Sequence, residues 1–359
     1  GPPVSPTVAI VDGATGLVVG SAVTLDLSAS GATEMRIGSS ADFTDSLWIP
    51  YGTRTEYAFL NQGWQDVFVQ FRDMFGLESD VVSDSTRAFN PNVVFNPDNP
   101  VSQVGPGYFD GIDRPTVLID GTTVSMSGHH QLDNLLLLNG AILTTPAATT
   151  STVYGIDLEV EGAVYIDATS RVDVSGKGYM AGYTQWNAPL ADLDSTRTAG
   201  GSHGGTGGSG WFVPIASYGD FRLPLFPGSG PHPDSRDGRG GGVISLKVGE
   251  QMDLYGKLLA DGVQGGAGGS ILLDVNQLQG YYEDNYYSPF KDASLITAHG
   301  GTAPYGSPGA GGGGGRIAVY YQDMDSTRLQ LKSIGGNKAG ESQYDDVDLG
   351  IGSLGTIYL

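Results

Sequence analysis

Four segments of this chain can be laid over one another. They begin at Ile156-Asp157-Leu158-Glu159-Val160, Ile244-Ser245-Leu246-Lys247-Val248, Ile271-Leu272-Leu273-Asp274-Val275 and Ile317-Ala318-Val319-Tyr320-Tyr321. Each continues through a second apolar strand to a glycine: Gly176, Gly262, Gly300 and Gly335, at spacings of 20, 18, 29 and 18 residues. The third is lengthened by an insertion at 281–291, and a weaker, earlier copy runs through 134–143. A unit near 20 residues holding two or three short strands is the mark of a β-solenoid. Each coil buries a narrow stack of Ile, Val and Leu, and the alternating Asp, Glu, Ser and Lys face solvent. A flat antiparallel sandwich would not require near-identical units to recur. Glycine at each coil's end is expected to serve a positive-φ corner that β-branched residues avoid.

Between the copies lie glycine runs at 200–208, 238–242, 265–269 and 311–315, which hold much of the chain's 57 glycines. They do not recur every third residue, so collagen is excluded. They are not phosphate loops, because no GK[ST] follows them and each of the last three leads into a strand. Close coil-to-coil approach, or polyproline-II-like packing of glycine strips, accounts for them better. The phrases GGGVISL, GAGGSILL and GGGGGRIAVYY, within residues 156–321, resemble a glycine-rich domain type of large bacterial surface and secreted proteins. That resemblance implies extracellular placement and carries no established activity.

Residues 7–90 read differently, as some seven strands of period-2 alternation with frequent turns, which predicts a β-sandwich. Val23, Leu25 and Leu27 share one face, as do Val67, Val69 and Phe71. VTLDLSASGATEMRIGSS, Trp48-Ile49-Pro50-Tyr51 and GWQDVFVQFRDMFGLES resemble a bacterial immunoglobulin-like module, with Phe75-Gly76-Leu77 departing from that family's Gly-Asn turn. Such modules are spacers and presenters, and no catalytic residue carries over. The expected architecture is all-β: an immunoglobulin-like sandwich at 1–95, a Pro- and Asn-rich connector at 96–115, and a right-handed parallel β-helix with long Gly-rich loops at 116–359.

Eighteen basic against 39 acidic residues leave a charge of −21, which opposes nucleic-acid binding and docking on anionic lipid. There is no cysteine, hence no disulfide framework or thiolate site. No apolar run is long enough to span a bilayer. The opening Gly1-Pro2 reads as a protease scar, so the chain is expected to be part of a larger polypeptide.

The site candidates follow from residue chemistry. No metal-ligand spacing joins the five histidines. His129-His130 is expected in a turn, His203 in a glycine run, and His299 at a solvent-facing corner where other copies have Asp261 and Ser175. β-Helix polysaccharide enzymes set carboxylates and bases along one outer sheet face. The candidates are Asp157, Glu159, Asp167, Asp173, Asp192, Asp194, Asp253, Asp261 and Asp274, with Arg171, Lys177 and Arg239. Calcium is expected, if anywhere, at Asp345, Asp346 and Asp348 or at Asp192 and Asp194. Aromatic rings beside polar side chains suit sugars, which singles out Tyr281, Tyr282, Asp284, Tyr286, Tyr287, Trp186 and Trp211. The favoured function is a non-enzymatic segment of a bacterial extracellular surface protein, a stalk or adhesin engaging a glycan or a host or cell surface. The alternative is a β-helix lyase or hydrolase acting on extracellular polysaccharide.

Overall fold

The computed structural model describes residues 1–11, 16–44, 46–185, 188–189, 199–209, 214–233, 237–284, 288, 293–303, 310–337 and 351–359. The chain divides into two units, Gly1–Asn92 and Val93–Leu359.

The first unit has two sheets. β1 (Val4–Ile10), β3 (Ala22–Ser30) and β6 (Arg54–Ala58) form an antiparallel sheet in the order β1-β3-β6. The second runs β2-β8-β7-β4-β5, from β2 (Leu17–Val19), β4 (Glu34–Gly38), β5 (Ile49–Pro50), β7 (Gly63–Arg72) and β8 (Val82–Phe89). The alternation places Val23, Leu25 and Leu27 of β3 and Val67, Val69 and Phe71 of β7 in one buried cluster. Tyr51 meets Phe71 edge-on at 5.7 Å, and the guanidinium groups of Arg36 and Arg72 lie over the Trp48 ring at 4.7 and 4.4 Å. At the turn after β7, Asp73 Oδ1 accepts from the N–H groups of Phe75 and Leu77, and Gly76 takes φ 81°. Because this core closes within residues 1–92, that fragment expressed alone is expected to unfold in one cooperative transition. A fragment giving only disordered spectra would refute this.

The second unit is a parallel β-solenoid with three sheets. The first sheet takes Val93–Phe95, Thr116–Asp120, Asn134–Leu138, Val164–Ile166 and residues 251–254, 277–280 and 323–324. The second takes Gln103–Val104, Thr123–Met126, Ile142–Thr144, Arg171–Asp173, Lys257–Leu259, Leu295–Thr297 and Gln330–Lys332. The third takes Gly128–Leu132, Ile156–Val160, residues 243–248, 270–275 and 316–321, and Thr356–Tyr358. The strands at 243–254, 270–280 and 316–324 bend from the third sheet into the first, and the register shifts between Val248 and Gln251.

The repeat visible in the sequence is the register of this stack. Ile156, Ile244, Ile271 and Ile317 are successive cross-coil partners, as are Val172, Leu258, Ile296 and Leu331. These rows belong to one continuous core from Phe95 to Leu329, with Leu331 packed against it. The copy at 134–143 occupies the first and second sheets instead, one strand out of phase with the others.

The glycine-rich stretches at 200–208, 238–242, 265–269 and 311–315 all leave from the same place, the passage from the second sheet to the third. There they form a bundle rather than a sheet. The strip at 262–269 bonds through its backbone to at least five others, by Gly201 N→Gly265 O, Ala267 N→Ser229 O, Gly241 N→Ala267 O, Gly301 N→Gly266 O and Gly268 N→Gly313 O, at 2.8–2.9 Å. A β-strand has two lateral neighbours, so bonding to more than two places this packing outside a sheet. The expectation of positive-φ corners is corrected here. Gly176 has φ 64°, but Gly262, Gly300 and Gly335 are not in the left-handed region. They are glycines because a Cβ there would strike the carbonyl oxygens of Gly266, Gly312 and Gly352.

Candidate functional site

Period-2 alternation turns one set of third-sheet side chains outward, and parallel stacking aligns those sets from coil to coil. One row is His129, Asp157, Ser245 and Leu272; the next is Gln131, Glu159, Lys247, Asp274 and Tyr320. Adjacent members are bonded. His129 Nδ1 lies 3.1 Å from Asp157 Oδ2, Gln131 Nε2 donates to Glu159 Oε2 at 2.9 Å, and Lys247 Nζ donates to Glu159 Oε1 at 2.8 Å. Arg114 pairs with Glu161 beyond them. The Lys247 bond, then that of Gln131, holds the Glu159 carboxyl below its ordinary range, and Glu159 holds Lys247 above its own.

Three cavities border these rows. One of about 330 Å³ is lined by Asp110, Asp113, Arg114, His129 and Gln131, and one of about 490 Å³ by His129, Tyr154, Asp157, Leu225 and Ser245. A third, of about 430 Å³, is lined by Lys247, Asp274, Asn276, Tyr320, Tyr321 and Gln322. His129 and His130 lie in a strand of this sheet, not in the expected turn. His129 faces out, and His130 is buried with Nε2 bonded to Ser127 O at 3.0 Å.

The remaining carboxylates divide among other places. Asp173 and Asp261 meet at the end of the second sheet, with Arg171 3.1 Å from Asp173. Burial pushes the Asp261 carboxyl up, and its oxygens accept from His299 N–H at 2.6 Å and Thr297 Oγ1 at 3.0 Å. His299 is half-buried rather than solvent-facing, with Nδ1 accepting from Ile334 N–H at 3.0 Å, and burial lowers its pKa. These bonds tie neighbouring coils together. Asp167 closes a turn by accepting from Asn139 and Thr169 N–H, and Arg239 donates to Ala148 O, which are structural tasks.

In the aromatic insertion, Tyr281 lies flat on Tyr255 with centroids 3.4 Å apart, and its hydroxyl donates to Asp253 Oδ1 at 3.1 Å. It packs on the solenoid. Tyr282 donates its hydroxyl to Asp284 Oδ1 at 3.1 Å, and its N–H donates to Arg328 O. Tyr286, Tyr287, Trp186 and Trp211 lie outside the described residues, as do Asp192, Asp194, Asp345, Asp346 and Asp348. Among the described residues no group of three His, Asp or Glu could hold a metal ion.

Sequence reasoning named Asp157, Glu159 and Asp274, placed His129 in a turn, and gave no role to Gln131, Lys247, Tyr320 and Tyr321. The missed signal was the fourth position of each aligned copy, which reads Glu159, Lys247, Asp274 and Tyr320 in order along the face.

No protein-family model matches this chain, and no curated protein matches its sequence. Among solved structures it is similar to a family 28 exopolygalacturonase from Yersinia enterocolitica, at 10% identity and a TM-score of 0.17, over 89% of this chain and 69% of that one. The expectation of a non-enzymatic stalk or adhesin finds no support in this comparison, since the protein it aligns with is an enzyme. At that score no residue role is carried across.

Proposed function

We propose that the solenoid binds and cleaves an extracellular polysaccharide along the outer face of its third sheet. The observation that carries this reading is the bonded patch His129–Asp157 and Gln131–Glu159–Lys247, set among three cavities on one face. Successive coils are ~4.8 Å apart, close to the length of one sugar residue, so equivalent positions meet successive units of a chain laid along the stack. Asp157 and Glu159 stand two residues apart on the same face, about 6.6 Å between Cα atoms. Inverting glycoside hydrolysis uses two carboxyl groups set apart with a water between one of them and the sugar. In this reading Glu159, kept ionised by Lys247 and Gln131, takes a proton from the attacking water. The His129–Asp157 pair gives a proton to the departing glycosidic oxygen as the C–O bond breaks. The same proposal gives the solenoid a right-handed winding, which parallel β crossovers nearly always adopt, and makes residues 1–92 an immunoglobulin-like spacer within a larger extracellular polypeptide.

Glu159→Gln is expected to lower the release of reducing ends from a susceptible polysaccharide by roughly 10²–10⁴-fold, the usual contribution of a positioned acid or base. Wild-type protein that releases nothing from a broad polysaccharide panel, or a Glu159→Gln variant as fast as wild type, would end this reading.

A further inference from the structure

The same outer face continues at its C-terminal end into an exposed aromatic surface. Tyr320 and Tyr321 are 38% and 42% exposed, yet the Tyr320 ring is fixed. Its hydroxyl donates to Arg222 O at 2.9 Å, and its ring packs on Tyr358 at 5.7 Å, which in turn packs on Phe221 at 5.7 Å. Rings immobilised from one side and left in water on the other contribute little to a core, and apolar surface of this kind marks a binding site. The cavity of about 430 Å³ beside them is lined by Lys247, Asp274, Asn276, Tyr320, Tyr321 and Gln322. Tyrosine rings next to carboxylate and amide groups suit a pyranose, which stacks its C–H face and hydrogen-bonds its hydroxyls.

Charge decides which sugars fit. Lys247 is the one cation lining the cavity among the described residues, and Glu159 engages it at 2.8 Å. Asp274 faces the same space, on a chain of net charge −21. A uronate or sulfated sugar would set its anion against Asp274 with no unengaged cation among the described residues of the lining.

We propose that Tyr320, Tyr321, Asp274, Asn276 and Gln322 form a subsite for an uncharged sugar residue, so that the polysaccharide taken by this face is neutral rather than a polyuronate. This rests on the reading that a glycan lies along the third sheet, and it is tested by binding, separately from cleavage. The full chain carrying Asp157→Asn, which holds any substrate intact and leaves Lys247 engaged by Glu159, is titrated with galactomannan, mixed-linkage β-glucan, xylan and polygalacturonate. Binding is expected to at least one of the three neutral chains and not to polygalacturonate. Adding Tyr321→Ala should weaken that binding about tenfold, as for one lost stacking ring, with an unchanged melting temperature. Asn276→Ala, at an exposed rim position, gives a second reading should Tyr321→Ala fold poorly, and it too should bind more weakly. Binding of polygalacturonate alone, binding of none of the four, or full affinity in both Tyr321→Ala and Asn276→Ala overturns the subsite. Neutral-glycan binding without cleavage by wild type leaves the subsite standing and removes the catalytic reading; cleavage with undiminished binding by both variants does the reverse.

Discussion

Replacing Gly312 by alanine is expected to destabilise the solenoid by more than about 3 kcal/mol, lowering its melting temperature by roughly 10 °C. A Cβ at this position would run into the Gly266 carbonyl and come within 2.9 Å of Ala267 N. The obstacle is backbone, so no side chain can rotate away to make room. Retreat of the strip would also break two bonds, since Gly312 N–H donates to Gly301 O at 2.9 Å and its carbonyl accepts from Gly336 N–H at 2.7 Å. Each orphaned buried group adds about 1–3 kcal/mol. Gly105→Ala is the matched control. Nothing lies within 4 Å of a Cβ there, and its φ is outside the left-handed region, so the change is expected to be neutral or slightly stabilising. Thermal denaturation of the two variants side by side checks the account. Equal melting temperatures would mean that the glycines are not packed strip against strip.

Acidification should weaken the same bundle through His203. This side chain is completely buried, with Nδ1–H donating to Gly268 O at 2.9 Å and its ring 4.9 Å from that of Tyr218. Nε2 has no hydrogen-bond partner among the described residues. Burial lowers its pKa to about 4, and the nearby Arg316 charge acts in the same direction against the Gly268 bond. The unfolded chain takes up this proton near pH 6.5 and the folded chain only near pH 4. Stability from the neutral ring is therefore complete above pH 6.5 and is lost as pH falls towards 4, by about 3 kcal/mol in all. Unfolding free energies measured between pH 7 and 4 should show this slope in wild type and a shallower one in His203→Asn. If the two slopes are equal, His203 does not titrate in this way.

The repeat was open to reading because burial in a strand follows a local rule. Ile156, Leu158 and Val160 alternate with Asp157 and Glu159, and the parallel partner repeats that pattern at Ile244, so sequence alignment and cross-coil register coincide. The outward row that carries Glu159 and Lys247 lay unread in the same alignment, at the fourth position of each copy. The bonds of Gln131 to Glu159 and of His129 to Asp157 were not legible, because the coil that supplies them has glycine and histidine, at Gly128 and His130, where the four aligned copies have isoleucine and leucine or valine. The part played by Tyr281 in the aromatic insertion was not legible for a related reason. The insertion's composition is the same whether Tyr281 meets a ligand or lies on Tyr255, and the choice belongs to a contact with residue 255 of the preceding coil.

The amino-acid sequence by itself determined the coil repeat, its alternating core and the place where glycine accumulates. The tertiary structure alone decided which glycine strip meets which. Thr206 is bonded to Ser353 across 147 residues, and Gly205 N–H donates to Gly314 O. A glycine-to-glycine approach is made by backbone that is the same in every run. It has no side-chain pattern by which one strip could be matched to another until the coils have stacked and brought the strips together.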